Sequence, residues 1–217
     1  MIDKVATPQE AVAKMFDGMT VMICGFRDVG APNGMVPYMM DAGLKDMTLI
    51  GIDAGSDKTE GFGRLVVDKR FKKLMVTHVG WNPKVTEQVN AGELELELIP
   101  QGTLAERIRC GGYGLGGVLT PTGVGTTVAE GKETITIDGK DYLLEKPLRA
   151  DVAVIKANKG DRAGNLVYHG CARNFNTVMA MAADFVVAEV DELVEVGEIN
   201  PDDVVIPGCC VDMIVKP

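Results

Sequence analysis

The 217-residue chain is poor in aromatic residues (5%), with a single tryptophan and two histidines, and it has no surplus of positive charge. With a formal net charge of -9 and no Lys/Arg run longer than two residues, it offers no broad basic face. Neither nucleic acid nor a membrane surface is therefore expected as a partner, and an anionic ligand would need a small local site. No run of about eighteen apolar residues occurs, which excludes an ordinary membrane-spanning helix. Asp3, Pro8 and Glu10 interrupt the N-terminal segment before it can form the basic flank and apolar centre of a secretory signal, so a cytoplasmic location is expected. The five cysteines, Cys24, Cys110, Cys171, Cys209 and Cys210, are an odd count and predict reduced thiols rather than a disulfide framework.

The usual catalytic sets are equally thin. There is no Gly-x-Ser-x-Gly elbow and no Cys-x-x-Cys pair, and His169-Gly-Cys171 has no companion cluster at ligand spacing, so no metal is expected. His78 and Trp81 read as packing or hydrogen-bonding residues at a strand end. Cys24 also falls at a strand end, where a helix N-terminus would stabilise a thiolate; a small buried apolar role is the favoured reading.

What the chain does have is 46% apolar residues, enough for a sizeable core, in a regular alternation of elements. "TPQEAVAKMFDG" from Thr7 predicts a helix, with Pro8 at its first position, Glu10 completing a capping box, and Ala11, Val12, Met15 and Phe16 on one face. Buried-strand runs follow at 20–24, 47–52, 73–79 and 94–99, separated by helix-length segments near 33–44, 62–70 and 83–92. In "LELELIP", Leu94, Leu96 and Leu98 alternate with Glu93, Glu95 and Glu97, which predicts an edge strand with one buried face and one solvated acidic face rather than a catalytic carboxylate pair. "ETITIDGKDYLLE" (133–145) turns at Asp138-Gly139 and predicts a type I′ hairpin. The chain then returns to buried strands at 150–157 and 185–190, with a helix near 174–183 between them and an extended stretch ending "VDMIV". The fold class is α/β: a largely parallel open sheet flanked by helices, with a small antiparallel hairpin excursion. With no internal repeat or composition break, residues 1–217 read as one domain.

Two glycine loops stand out. "CGFRDVG" (24–30) spaces Gly25 and Gly30 like the start of a P-loop, yet Ala31-Pro32 occupies the place where Lys-Ser/Thr would reach phosphate and magnesium. "GYGLGG" satisfies G-x-G-x-x-G through Gly112, Gly114 and Gly117, but "AERIRC" before it reads as a helix and "VLTPTG" after it cannot open one. Both nucleotide fingerprints fail. What survives is a strand ending in a Gly-rich turn, where free N–H groups let an anionic or bulky ligand approach; the alternative is that the glycines serve tight turns only.

"DGMTVMICGFRDVGAP" resembles the N-terminal signature of family I coenzyme A transferases: Asp17-Gly18, apolar Val21 to Ile23, the small pair Cys24-Gly25, then Phe26, Gly30 and Pro32. The likeness continues through 98–126, 150–176 and 200–215, and "GLGGVLT" is similar to the A (α) subunits of butyrate-acetoacetate and acetate enzymes. The resemblance implies a CoA-transferase-like fold and a ping-pong exchange: a glutamate attacks an acyl-CoA thioester, and an acyl-glutamyl anhydride and then a glutamyl-CoA thioester follow. It implies CoA or acyl-CoA as a substrate, with no tightly bound cofactor. The family's nucleophile lies in a Ser-Glu-Asn-Gly motif of the β half, and no Glu-Asn-Gly occurs here; the nearest phrase is "TEGFG" at Thr59 to Gly63. A homologous β subunit is therefore the expected partner, as an αβ heterodimer or an α2β2 assembly.

By the same resemblance, Gln101 in "PQGT" takes an oxyanion or positioning role, its plain alternative being a helix-start amide. Cys24, Gly25, Phe26, Arg27, Asp28, Val29 and Gly30 match the loop assigned to CoA. Gly112, Gly114 and Gly117 would line the neighbouring cleft, and Asn33 would hydrogen-bond in the same pocket. Relatives carry apolar or small residues where this chain has Arg27-Asp28. An internal ion pair is the favoured reading, the alternative being an Arg27 that faces a substrate carboxylate or a CoA phosphate. Two other functions remain: a non-catalytic binding or assembly subunit, and a self-sufficient acyl-CoA hydrolase using Glu60.

Overall fold

The structure is a computed structural model that describes residues 3–58 and 60–217. Its main sheet holds, in chain order, β1 (Thr20–Ile23), β2 (Met47–Ile50), β3 (Phe71–Val76) and β4 (Glu95–Leu98). A small sheet follows, of β5 (Val118–Thr120), β6 (Thr134–Ile137) and β7 (Lys140–Glu145), before the chain re-enters the main sheet as β8 (Ala150–Asp161), β9 (Leu166–Val167), β10 (Ala183–Val194) and β11 (Met213–Val215). The main sheet runs β11-β10-β8-β1-β2-β3-β4, all parallel, with the short β9 antiparallel on β8. The small sheet is antiparallel in the order β5-β7-β6. Asp138 and Gly139, at φ 51° and 76°, make its tip, as a type I′ turn requires.

Side chains alternate to two faces of the main strands, and each face is roofed by helices. Val21, Ile23, Leu49, Leu74 and Val154 meet α1 (Pro8–Val12), α2 (Val36–Asp41), α3 (Gly63–Val67) and α4 (Pro83–Asn90). Met22, Ile50, Ala153, Ile155 and Ala188 meet α5 (Gln101–Tyr113) and α6 (Asn176–Met179). Burial on both faces is what makes these strands read as continuous apolar runs. Among the described residues, no helix is long and apolar enough to cross a membrane.

Local expectations are met with corrections. Thr7 caps α1 through a full capping box with Glu10, but the helix ends at Val12, so the helical period fails beyond it: Met15 is buried and Phe16 is 52% exposed. The helix expected at 174–183 shrinks to Asn176–Met179, because the Ala182 carbonyl accepts from the Ala150 N–H as the chain enters β10. β4 is the expected edge strand. Its alternation breaks, however: Leu94 is buried and Leu98 is 53% exposed, while Ile99 turns to the opposite face and packs with Leu104 and Ile108. The acidic side is not simply solvated either, since Glu97 pairs with Arg107 of α5 at 3.1 Å and Glu95 with Lys73 at 2.7 Å.

Candidate functional site

β1 is flanked by β2 on one side and by β8, from the far end of the chain, on the other. Parallel sheets bind ligands beyond the carboxyl ends of their strands, where the order switches direction, and the loop leaving β1 lies at that point. The ends of β1 to β4 also line up, so the segments carrying Arg27, Asp53, Trp81 and Gln101 leave the sheet on the same side.

The β1 loop is a hairpin. Phe26 and Val29 exchange both backbone hydrogen bonds, at 3.0 and 3.1 Å, across Arg27 (φ 51°) and Asp28 (φ 68°), the geometry of a type I′ turn. Two non-glycine residues in left-handed conformation cost about 1–2 kcal/mol each, so the surroundings must hold them. The buried Asp53 carboxylate does so at one end, accepting from the Arg27 N–H at 3.1 Å and the Gly55 N–H at 2.8 Å. Burial raises the pKa of Asp53, against the lowering effect of these two hydrogen bonds. At the other end two asparagines clamp the hairpin: Asn174 Nδ2 donates to the Val29 carbonyl and Asn176 Nδ2 to the Gly30 carbonyl, both at 3.0 Å.

The expected Arg27–Asp28 ion pair does not form. Left-handed geometry at both residues carries their side chains apart, and the Arg27 guanidinium lies over Trp81, 4.4 Å from the ring centroid. Trp81 in turn stacks against His78 at 4.5 Å and meets Phe26 edge-on, so the expected packing role of Trp81 and His78 holds, with Arg27 added to it. Arg27, Asp28, Ser56, Lys58 and Trp81 share a cavity of about 490 Å³.

Gly25 and Gly30 are demanded by close backbone approach. A Cβ on Gly25 (φ 137°) would stand 2.6 Å from Ala31 Cβ, and one on Gly30 (φ 71°) 2.5 Å from the Ala172 carbonyl oxygen. Cys24 is fully buried and its thiol faces Asn174 Oδ1 as a hydrogen-bond donor. Burial pushes its pKa well up, in keeping with the apolar role rather than an activated thiolate.

Gln101 opens α5 directly after Pro100, and it lines a cavity of about 340 Å³ together with Phe26, Ile52, Cys171, Asn174 and Phe175. Phe26 of the hairpin and Gln101, about 75 residues apart in sequence, thus meet in one place, and none of the six lining residues is a carboxylate. The first N–H groups of α5 have no intrahelical acceptor and add partial positive charge at this end.

Other expected residues fall elsewhere. Gly112 lies in the last turn of α5, about 16 Å along the helix from Gln101, where a Cβ would meet Met181; Gly114 is the left-handed residue that ends the helix; a Cβ on Gly117 would stand 2.8 Å from the Glu145 carbonyl oxygen. None of the three lines the Gln101 cavity. Asn33 accepts from the Phe62 N–H at 3.2 Å and lines a separate cavity with Asp28, Glu60 and Arg64. Glu60 is largely exposed there and ion-paired with Arg64; Thr59, which precedes it, lies outside the described residues. Among the described residues no group of three or more His, Cys, Asp or Glu side chains is placed to hold a metal. Asp53, Trp81, Asn174 and Asn176 carry the hairpin and were not singled out as site residues by sequence. The two asparagines of "RNFN" sit inside a block of the family likeness, which was the available signal.

Residues 5–217 match the family model described as Coenzyme A transferase. The chain belongs to the coenzyme A transferase family. It is 50% identical over 215 residues to the acetate CoA-transferase subunit alpha of Escherichia coli K12, covering 99% of this chain and 97% of that one. It is 46% identical over 200 residues to the acetoacetyl-CoA:acetate/butyrate CoA transferase alpha subunit of Clostridium acetobutylicum, covering 92% and 91%. Among solved structures it superposes on an acyl-CoA transferase of Escherichia coli O157:H7 with a TM-score of 0.87 at 21% identity, over 99% of this chain and 47% of that one. This transferase chain thus spans about half the length of that solved structure.

Proposed function

We propose that this chain is the α subunit of a CoA transferase that moves CoA between a short-chain acyl-CoA, such as acetyl- or butyryl-CoA, and a short-chain carboxylate or 3-oxoacid such as acetoacetate. The observation that carries the reading is the meeting of Gln101 with the β1 hairpin in a cavity without a carboxylate. Such a cavity has donors for a developing oxyanion, the Gln101 amide and the α5 N-terminus, but no nucleophile.

In this reading residues 1–217 act as one domain, and the glutamate arrives from a homologous β subunit. Its carboxylate attacks the thioester carbonyl, CoA thiolate leaves, and the thiolate then attacks the acyl-glutamyl anhydride to give glutamyl-CoA and free acid; the incoming carboxylate reverses the sequence. Each step passes through an oxyanion. Gln101 and the helix N-terminus stabilise it with neutral donors that need no proton exchange. The hairpin Cys24–Gly30 holds CoA nearby, Phe26 packing on its reacting end and Arg27 offering a cation held in place by Trp81. CoA enters as a substrate.

The test is reconstitution. The isolated chain should show no acyl-CoA:carboxylate exchange and should gain it on mixing with a β subunit of the relatives' type. Failure to gain exchange with any such subunit would leave the non-catalytic binding reading; thioesterase activity in the isolated chain, abolished by Glu60→Gln, would favour the hydrolase.

A further inference from the structure

Cys209 and Cys210 line neither the Gln101 cavity nor the two cavities beside the hairpin. They occupy the 3-10 turn Gly208–Cys210 that leads into β11, the edge strand opposite β4. Cys209 is exposed and Cys210 half-buried, with their sulfurs 3.9 Å apart. The turn is fixed from outside. Lys4 Nζ donates to the carbonyls of Gly208 and Val211, each at 2.6 Å, and the Gly208 N–H donates to Asn165 Oδ1 at 2.9 Å. The two thiols therefore face each other on a held backbone at the surface. No hydrogen bond joins any other two of the five thiols among the described residues: Cys24 and Cys110 are buried, and Cys171 is exposed alone.

We propose that Cys209 and Cys210 form a reversible oxidation site, a vicinal dithiol that low-molecular-weight disulfides close into an intramolecular disulfide. The exposed Cys209 thiolate attacks one sulfur of R–S–S–R, breaking that bond, forming a mixed disulfide and releasing one thiolate. The Cys210 thiolate then attacks the Cys209 sulfur and expels the second. In sum, one dithiol and one R–S–S–R give one protein disulfide and two R–SH. The two electrons pass to the reagent, and the two cysteine protons end on the leaving thiols.

The order of attack follows from position: the exposed Cys209 meets the reagent first, and Cys210, half-buried against the core, stands next to the Cys209 sulfur to resolve the mixed disulfide. Adjacent Cα atoms are about 3.8 Å apart across a trans peptide, below the roughly 4.4–6.8 Å of ordinary disulfides, so the closed form is strained and easily reopened by a dithiol. That strain makes the site reversible rather than a structural staple.

The experiment treats the full-length chain with oxidised glutathione, blocks the remaining thiols, and locates the products by peptide mass spectrometry. In the parent chain the peptide holding Cys209 and Cys210 should lose two hydrogens and resist alkylation, while Cys171 keeps a glutathione adduct. Cys210→Ser should trap glutathione on Cys209 at a level at least about tenfold above the parent, because the resolving thiol is gone. Cys209→Ser should leave Cys210 largely unmodified, and dithiothreitol should restore both thiols of the parent. The proposal is overturned if the parent holds glutathione on Cys209 as stably as Cys210→Ser does, or if Cys171 reacts while the pair stays reduced.

Discussion

The guanidinium of Arg27 rests 4.4 Å from the centre of the Trp81 ring, at the tip of a hairpin whose two central residues are both left-handed. No carboxylate forms an ion pair with it among the described residues, so its charge is free to meet an anion. On the reading that the hairpin holds CoA, Arg27→Ala in the αβ pair should raise the KM for acyl-CoA about tenfold and leave kcat unchanged, the signature of lost uniform binding. Arg27→Lys should not restore it, because an ammonium lacks the planar face that stacks on the indole. Steady-state kinetics with varied acyl-CoA check this, and an unchanged KM removes Arg27 from the binding site.

Gly30 and Gly139 share a positive φ, 71° and 76°, but only Gly30 has a neighbour where a Cβ would stand. Gly139→Ala should cost about 1 kcal/mol, the conformational penalty alone. Gly30→Ala must also push the Ala172 carbonyl aside and should cost about 2–4 kcal/mol. Urea unfolding of the two variants reads the difference. Equal losses would mean that the hairpin and the Asn174 segment are not packed as described.

Asp53 supplies a pH dependence with a defined sign. Burial raises its folded pKa above the ordinary aspartate value, so between those two values the folded chain binds a proton that the unfolded chain does not. Stability attributable to this group therefore rises as pH falls through the folded value and is fully gained below the unfolded one. The stability of the parent minus that of Asp53→Asn should increase on acidification across this window. Denaturant midpoints measured over the acid range test it, and a difference that shrinks on acidification contradicts the assignment.

The Gln101 amide stands at the mouth of α5, on the cavity it shares with Phe26. Gln101→Ala should slow turnover of the αβ pair by about 100-fold or more, the scale of losing one oxyanion donor, with a much smaller effect on substrate KM. Turnover within a factor of about two of the parent would remove Gln101 from the mechanism.

Most of the sheet was legible because strands buried on both faces leave unbroken apolar runs such as "TVMIC", and because Asp138-Gly139 carries its turn type in its residue types. The site was legible in part, and for a different reason. Gly25, Gly30 and Gln101 were marked by their match to a family signature, and the structure gives the two glycines a steric cause. Arg27-Asp28 misled because the two residue types suggest a pair, whereas the reciprocal Phe26–Val29 bonds force both into left-handed geometry. Asn174 and Asn176 act on a loop some 145 residues away, a contact that no local pattern encodes. The glycines after residue 111 matched a phosphate fingerprint in spacing, yet helix packing against Met181 and helix termination account for Gly112 and Gly114.

The central claim is that this chain holds the donors of the reaction and its partner holds the nucleophile. The most direct measurement incubates the αβ complex with acyl-CoA, traps the glutamyl thioester with borohydride or hydroxylamine, and finds the modified residue by mass spectrometry. The account predicts a single modified glutamate on the β subunit and none on this chain. A trapped adduct on Glu60, or on any other glutamate of this chain, would contradict it.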